Sequence, residues 1–502
     1  MLSAIAVSLI GLLAFAHAVQ WAISSFDDGR EPPRLKTRIP LAGHLLGMIR
    51  HGRHYYMNVS KQTNADIFML DIFGTKLYIS KTYRLTSAVQ RSSKTLSFKP
   101  FQKITAQKMG GGSATVVDKF TDHVIDDFSH AQRASFTPGP ELDAQTVRMG
   151  ERALIDVESL TTNDKPTSLM LLKWSRHAVV QATSCGIFGI EHPFLDTKVE
   201  DAFWTWQAWL VYSMAGVDIT GRGNRSRAIV FDAMQSYCAQ THTDIAPVVT
   251  ERSRVMREAG LSEKEIADQQ GSFCIAAFAN TVPTLFWTIH ELFSRPNLLA
   301  AVRDEVTSIA ISGSRETAFT LDVTILKTKC PLILSVMQET QRMRHVHAYI
   351  RKVTDDTLLD GKWLLKKGHF LQMPGEPIHR EKTVWGELAD KFDRYRFMPS
   401  KGDKSVPPSS FAAWGAPPHL CPARQFATTE ILIVVALLAV RTEIDPESGR
   451  WEENPAVDLA DIVTLHNPKR DIKVRVQARK EWLGEWRLDM GDSRTRVPLA
   501  SG

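Results

Sequence analysis

The sequence predicts a mainly α-helical fold with small β-sheets, as one large domain behind an apolar N-terminal segment. Three observations predict it. Apolar residues recur at helical spacing over long stretches, above all 262–292 and 331–343. Strand-like runs are short, at 66–78, 349–353, 362–365 and 472–476, so the sheets are small. No low-complexity linker or internal repeat divides residues 41–502, which therefore read as one domain.

Composition sets the bounds. Of the 502 residues, 43% are hydrophobic and 23% charged, the profile of a globular chain with a large core. A formal charge of +6 with no long Lys/Arg run excludes a nucleic-acid partner. The mild positive balance suits an acidic protein or anionic lipid. Five cysteines occur, Cys185, Cys238, Cys274, Cys330 and Cys421, with no Cys-x-x-Cys pair. That excludes a zinc ribbon and a disulfide scaffold and fits a reducing compartment. The first four read as small buried hydrophobes.

Taken in order, residues 1–26 contain no Asp, Glu, Lys or Arg, and the run is long enough to cross a bilayer core, which needs about 20 apolar residues. A cleavable signal peptide competes, with small residues at Ala14, Ala16 and Ala18, but no basic n-region precedes the apolar run. A buried helix competes too, yet would carry a polar face. The segment reads as a membrane anchor. Arg30, Arg34, Lys36 and Arg38 follow it, which places the rest of the chain in the cytoplasm. Residues 27–40 hold Pro32, Pro33 and Pro40 and read as a stiff hinge. Beyond it, 66–78 predicts a strand pair turning near Gly74. Gly110, Gly111 and Gly112 mark a loop. One long helix is expected over 262–292, another over 297–311, and a third over 331–343 opened by its proline. A last helix covers 422–440, and 472–476 ends the fold as a strand.

The chemistry concentrates in Trp414-Gly415-Ala416-Pro417-Pro418-His419-Leu420-Cys421-Pro422-Ala423-Arg424. A cysteine stands between a Gly/Pro-shaped loop and an apolar helix, where amide N–H groups and the helix dipole favour a thiolate. Alone, this describes a buried cysteine at a helix start equally well. Three further constellations accompany it: Glu339-Thr340-Gln341-Arg342, with acid and base three apart on one helical face; Phe392 to Phe397, between that helix and the cysteine; and Ala277 to Thr281 inside the long apolar helix.

With these in place the chain resembles the cytochrome P450 family along essentially its whole length. The family's cysteine motif is Phe-x-x-Gly-x-Arg/His-x-Cys-x-Gly. Trp414 takes the aromatic place, Gly415 the glycine commonly beside it, His419 the basic place and Cys421 that of the axial ligand to haem iron. The resemblance implies that Glu339 and Arg342 form the Glu-x-x-Arg pair, that Arg396 completes a triad with them, and that Arg351 binds a haem propionate. It implies the cytochrome P450 fold behind a single transmembrane helix, haem b as cofactor, and NADPH-cytochrome P450 reductase as electron donor, since no flavin or iron–sulfur motif is visible. It implies a single-pass protein of the endoplasmic reticulum membrane, its substrate hydrophobic, terpenoid or steroid-like, in the style of fungal secondary metabolism.

The chain also departs from the family pattern. Pro417 stands where the loop has glycine, Ala423 replaces the glycine after the cysteine, and Arg394-Tyr395 replaces Pro-Glu. In the distal motif Thr281 is kept, to hold water and oxygen for protonation, but Asn280 stands where an acid is usual and Pro283 follows. This amide-plus-proline segment is similar to the sterol 7α/12α-hydroxylase and prostacyclin-synthase branch. Three functions follow: a monooxygenase, a haem-thiolate isomerase or dehydratase needing no external electrons, and a non-catalytic haem- or lipid-binding membrane protein. Thr281 and the complete Glu339/Arg342/Arg396 set argue against the last.

Overall fold

A computed structural model of the protein describes residues 2–112, 114–162, 165–399, 406–491 and 495–501. Helices dominate, with small sheets set among them. Two helices form the centre. Arg424–Arg441 is buried at every position from Phe426 onward, and Thr281–Phe293 is buried throughout. A helix apolar on all sides belongs inside a large protein. Around these two pack Pro140–Thr161, Leu171–Phe188 and Pro331–Arg344. Pro331 occupies the first helical position, where its missing N–H costs nothing.

The predicted strand pair is present as Ile67–Ile72 and Thr75–Ser80, joined by Phe73 and Gly74. Both turn residues have positive φ, 50° and 81°, as a two-residue hairpin turn of this hand requires. Phe370–Pro374 joins Thr75–Ser80 in parallel; Ala348–Val353 pairs with it antiparallel, and Leu96–Ser97 closes the sheet. Near the C-terminus, Lys473–Ala478 lies between Thr442–Pro446 and Thr167–Met170.

The single helix expected over 262–292 is two helices, Glu263–Phe278 and Thr281–Phe293. Ser262 and Glu265 cap the first reciprocally, a start signal present in the sequence. The interruption at Ala279 and Asn280 follows from Pro283. Proline has no N–H for the carbonyl four residues earlier, that of Ala279, and its ring crowds that group. The chain therefore opens upstream of the proline, beside Thr281.

Within the proline-containing segment 27–40, residues 27–35 are fastened to the sheet. Leu35 N–H donates to Met69 O and Met69 N–H to Pro33 O, each at 2.9 Å. Arg34 bridges Asp27, at 2.7 and 2.8 Å, to buried Asp71. Lys76 pairs with Asp27 and Glu31, and Tyr78 donates to Glu31 at 2.7 Å. Two prolines keep the segment extended, and these pairs dock it as an added edge rather than leaving it free.

Ahead of it, Leu2–Ser25 forms one helix, with Met1 outside the described residues. Its described apolar run is Ile10–Ser25, with Ile10, Phe15 and Trp21 exposed. Among the described residues, the helical run long and apolar enough to cross a membrane by composition is 263–293, the two successive helices just described, most of which is buried in the core.

Candidate active site

The cysteine loop is built by a short hairpin. Gly415–Ala416 pairs with His419–Leu420 across Pro417 and Pro418. Gly415 has φ +108°, and a Cβ there would meet His419 O at 2.7 Å, so this position requires glycine. The hairpin holds Cys421 N–H on Trp414 O at 2.7 Å. The helix Arg424–Arg441 starts three residues later, with Ala423 at its N-cap. Burial pushes the Cys421 thiol above its usual value, against the lowering effects of the Ala423 amide and the Arg424 charge.

The half-buried thiol opens on a cavity of about 360 Å³. Phe136, Phe273, Ala277 and Phe426 give it apolar walls, and Asn280 and Thr281 line it from the interrupted helix. Trp414 and His419 line it as well, and the buried indole N–H of Trp414 has no acceptor among the described residues. Arg351, 3% exposed on the strand Ala348–Val353, reaches only the carbonyls of Ile350 and, at 3.5 Å, Ala416. No carboxylate among the described residues pairs with it, and burial holds its guanidinium down at about 10. Phe98 lies between it and His419, its ring 5.6 Å from the Arg351 guanidinium and 5.4 Å from the imidazole. Burial, then the positive charges of Arg351 and Arg133, push His419 down to about 4, leaving it neutral near pH 7. Positive charge from Arg351 and Arg133 outweighs that of Asp126, the described carboxylate that acts on His419, and a balance of this sign suits an anionic group.

Glu339, Arg342 and Arg396 come together. Arg342 forks onto both Glu339 oxygens, at 2.7 and 2.9 Å, and donates from Nη1 to His379 O and Ala389 O and from Nη2 to Lys391 O. Arg396 Nε reaches Glu339 Oε1 at 3.1 Å, and Asp393 N–H donates to the same oxygen at 2.9 Å. The network ties the helix Pro331–Arg344 to the irregular segment before the cysteine loop.

On the interrupted helix, Thr281 Oγ1 makes a long 3.4 Å contact to Ala277 O, while Asn280 Oδ1 accepts from Thr464 N–H at 2.9 Å. The asparagine thus bridges the break to the chain near the C-terminus. The sequence reading missed Phe98, Arg133 and the buried pair Thr183–Glu430, all nonlocal to the motif. Glu430 did leave a signal: it is an acid inside an otherwise apolar stretch, which calls for a partner or a proton.

Comparison with known proteins finds relatives of one kind. The family model described as Cytochrome P450 matches residues 227–474. The chain is 29% identical over 491 residues to the cytochrome P450 monooxygenase nodJ of Hypoxylon pulicicidum, covering 95% of each chain. It is 25% identical to a cytochrome P450 monooxygenase of Gibberella zeae, covering 96% of each. Over 224 residues, 41% of this chain and 44% of the relative, it is 27% identical to the 5-beta-cholestane-3-alpha,7-alpha-diol 12-alpha-hydroxylase of Sus scrofa.

Proposed function

We propose, from the premise that this chain belongs to the cytochrome P450 family and is a P450 monooxygenase, that Cys421 is the thiolate ligand of haem b and that the enzyme oxidises a bulky apolar small molecule. The observation that carries this is the half-buried thiol on an apolar cavity, with buried Arg351 nearby paired to no carboxylate among the described residues. Haem fits these residues: Arg351, His419 and the Trp414 N–H would hold its carboxylates, and Phe136, Phe426 and Ala427 would face its apolar ring. When bound, the haem supplies dioxygen activation and oxygen insertion into a C–H bond. The protein's share is positioning and proton control. The positive group at Arg351 orients the cofactor's acidic edge. The aromatic walls exclude water and select an apolar substrate, of the terpenoid or steroid-like class found in fungal secondary metabolism. Thr281 holds a proton at its hydroxyl, because its bond to Ala277 O is long enough to be exchanged.

Electrons come from NADPH through NADPH-cytochrome P450 reductase. Product formation on reconstitution with that reductase should require NADPH. Thr281→Ala should lower product formed per NADPH and raise the hydrogen peroxide released, with haem content unchanged; positioned proton transfer is worth about 10²- to 10⁴-fold. Unchanged coupling with continued NADPH dependence would remove Thr281 from proton delivery. Asn280 favours one second reading. With its Oδ1 committed to Thr464 N–H, it cannot relay protons, as suits an isomerase. Turnover that proceeds without NADPH would select it.

The N-terminal helix of 24 residues, about 36 Å at 1.5 Å per residue, is proposed to span the endoplasmic reticulum membrane once, with the catalytic domain cytoplasmic. Asn58 and Asn224 head glycosylation sequons and are exposed. In a eukaryotic host the protein should remain membrane-bound and show no glycosidase-sensitive mass; a shift at either asparagine would reverse the orientation.

A further inference from the structure

Between the Glu339–Arg342 pair and the cysteine loop stands His379, the last residue of the short helix Gly375–His379 and fully buried. Its carbonyl accepts from Arg342 Nη1 at 2.6 Å, and its ring Nδ1 lies 3.2 Å from Arg342 O. A carbonyl oxygen only accepts, so Nδ1 carries the ring proton. The other ring nitrogen, Nε2, accepts from Ala412 N–H at 2.9 Å. One form of the side chain satisfies both contacts: the neutral imidazole with its proton on Nδ1. Burial, with His345, Arg342 and Arg380 close by, holds the ring well below its usual value and so keeps it in that form.

Ala412 opens the 3-10 turn Ala412–Trp414, which leads into the Gly415 hairpin. Both of its backbone groups are held by side chains from other elements. Its N–H goes to His379. Its carbonyl accepts from the Tyr349 hydroxyl, on the strand Ala348–Val353, and from the Gly415 N–H that closes the turn. Two residues on, Trp414 O takes the Cys421 N–H at 2.7 Å. Hydrogen bonds and one tight turn therefore run from Glu339 through Arg342, His379, Ala412 and Trp414 to Cys421. The His379 ring also stacks on Phe411, centroids 5.6 Å apart and planes 21° from parallel. Packing of that kind needs only a flat ring; the two directed bonds need this imidazole.

We infer that His379 is a positioning residue for the Cys421 thiolate: it carries the place of the Glu339–Arg342 pair to the cysteine loop and, with Tyr349, fixes Ala412 so that Trp414 O meets Cys421 N–H. It touches no reacting atom. Without it Ala412 N–H would be a buried donor lacking its acceptor, and the turn would shift to satisfy it, taking Trp414 and Cys421 along. A ligand held to within about 0.5 Å is sensitive to such a shift.

The inference rests on Cys421 as the haem ligand, and the test separates the two. A glutamine amide reaches to where Nε2 stands, an asparagine amide to where Nδ1 stands. His379→Gln therefore keeps an acceptor for Ala412 N–H, His379→Asn keeps only the donor to Arg342 O, and His379→Phe keeps only the ring. In hydrogen exchange of the holoprotein, the Ala412 and Cys421 amides should exchange about 5- to 10-fold faster in the Asn and Phe variants, as for one lost hydrogen bond, and near the wild-type rate in His379→Gln. The thiolate-type band of the reduced carbon monoxide complex should fall in favour of a neutral-thiol form in Asn and Phe and be kept in Gln. Tyr349→Phe, which loses one hydroxyl and keeps its ring, should show a smaller change of the same kind, and it serves if the His379 variants fold poorly. Wild-type exchange and band in His379→Phe overturn the proposal, as does wild-type exchange at both amides in Tyr349→Phe. Equal losses in His379→Gln and His379→Phe show packing alone and overturn it too. Failure of the ligand reading would look different: the wild-type holoprotein would itself lack the thiolate band, while the exchange rates would still report on the hold at Ala412.

Discussion

Cys421→Ala should abolish the thiolate-type absorption band of the reduced carbon monoxide complex and all NADPH-dependent oxidation. The effect should be total because no other described residue can replace the sulfur. The backbone at this point is set independently of the side chain, by Cys421 N–H on Trp414 O and by the positive φ of Gly415. The variant should therefore fold with its cavity intact and lose only the ligand. Removing one small side chain from a half-buried position costs little beyond its transfer term, well below the 2–5 kcal/mol of a large core truncation. Cys274→Ala is the matched control. Cys274 is buried on the helix Glu263–Phe278, its thiol pushed far up by burial and resting near Gln270 O. It should keep the band. Retention of the band in Cys421→Ala would displace the cysteine from the centre of the enzyme.

Glu339→Ala should fail differently, through the fold. Arg342 is 1% exposed, and among the described residues its charge is paired with Glu339; the carbonyls of His379 and Ala389 satisfy N–H groups but carry no charge. Arg396 and the Asp393 amide lose the same acceptor. Breaking a buried pair from one side costs about 3–5 kcal/mol, against a total stability of about 5–15 kcal/mol for a typical protein. Soluble holoprotein should drop steeply and what remains should unfold at lower denaturant. Glu339→Gln keeps an acceptor without the charge and should fall between. Arg396→Ala should be milder, because Arg396 is part-exposed and Glu339 would keep Arg342. Normal haem content in Glu339→Ala would show that the triad is dispensable to the fold.

How far these features could be read in advance follows from their range along the chain. The cysteine loop, the Glu-x-x-Arg helix, the hairpin at Gly74 and the proline that opens Pro331–Arg344 are written in adjacent residues, so spacing and turn chemistry expose them. Arg396 came from resemblance, since nothing local links it to Glu339. The sheet that joins Thr75–Ser80 to Phe370–Pro374 and Leu96–Ser97 to Ala348–Val353 depends on distant pairings that no short window contains. The break at Ala279 lay four residues from where a proline draws the eye, because the damage from proline falls on the carbonyl behind it. Glu430 was visible as an anomaly, but its partner Thr183 was not. The docking of Asp27 to Leu35 was hidden by composition: prolines read as a stiff, extended connector, and only the distant partners Asp71, Lys76 and Tyr78 tie it to the sheet.

That docking changes what kind of object joins the apolar helix to the enzyme. A free segment would act as a rope, letting the domain tumble while its tether explored many lengths. Fixing backbone costs about 1–2 kcal/mol per residue in lost entropy, and here the paired charges on Arg34 and Lys76 and the strand-like bonds to Met69 offset it. The result is a lever. If the apolar helix lies in a bilayer, the domain takes its bearing from the lipid surface through Asp27, Glu31 and Arg34, and the cavity keeps a constant attitude to the layer in which apolar substrates dissolve. Such a substrate would then be searched for in two dimensions rather than three.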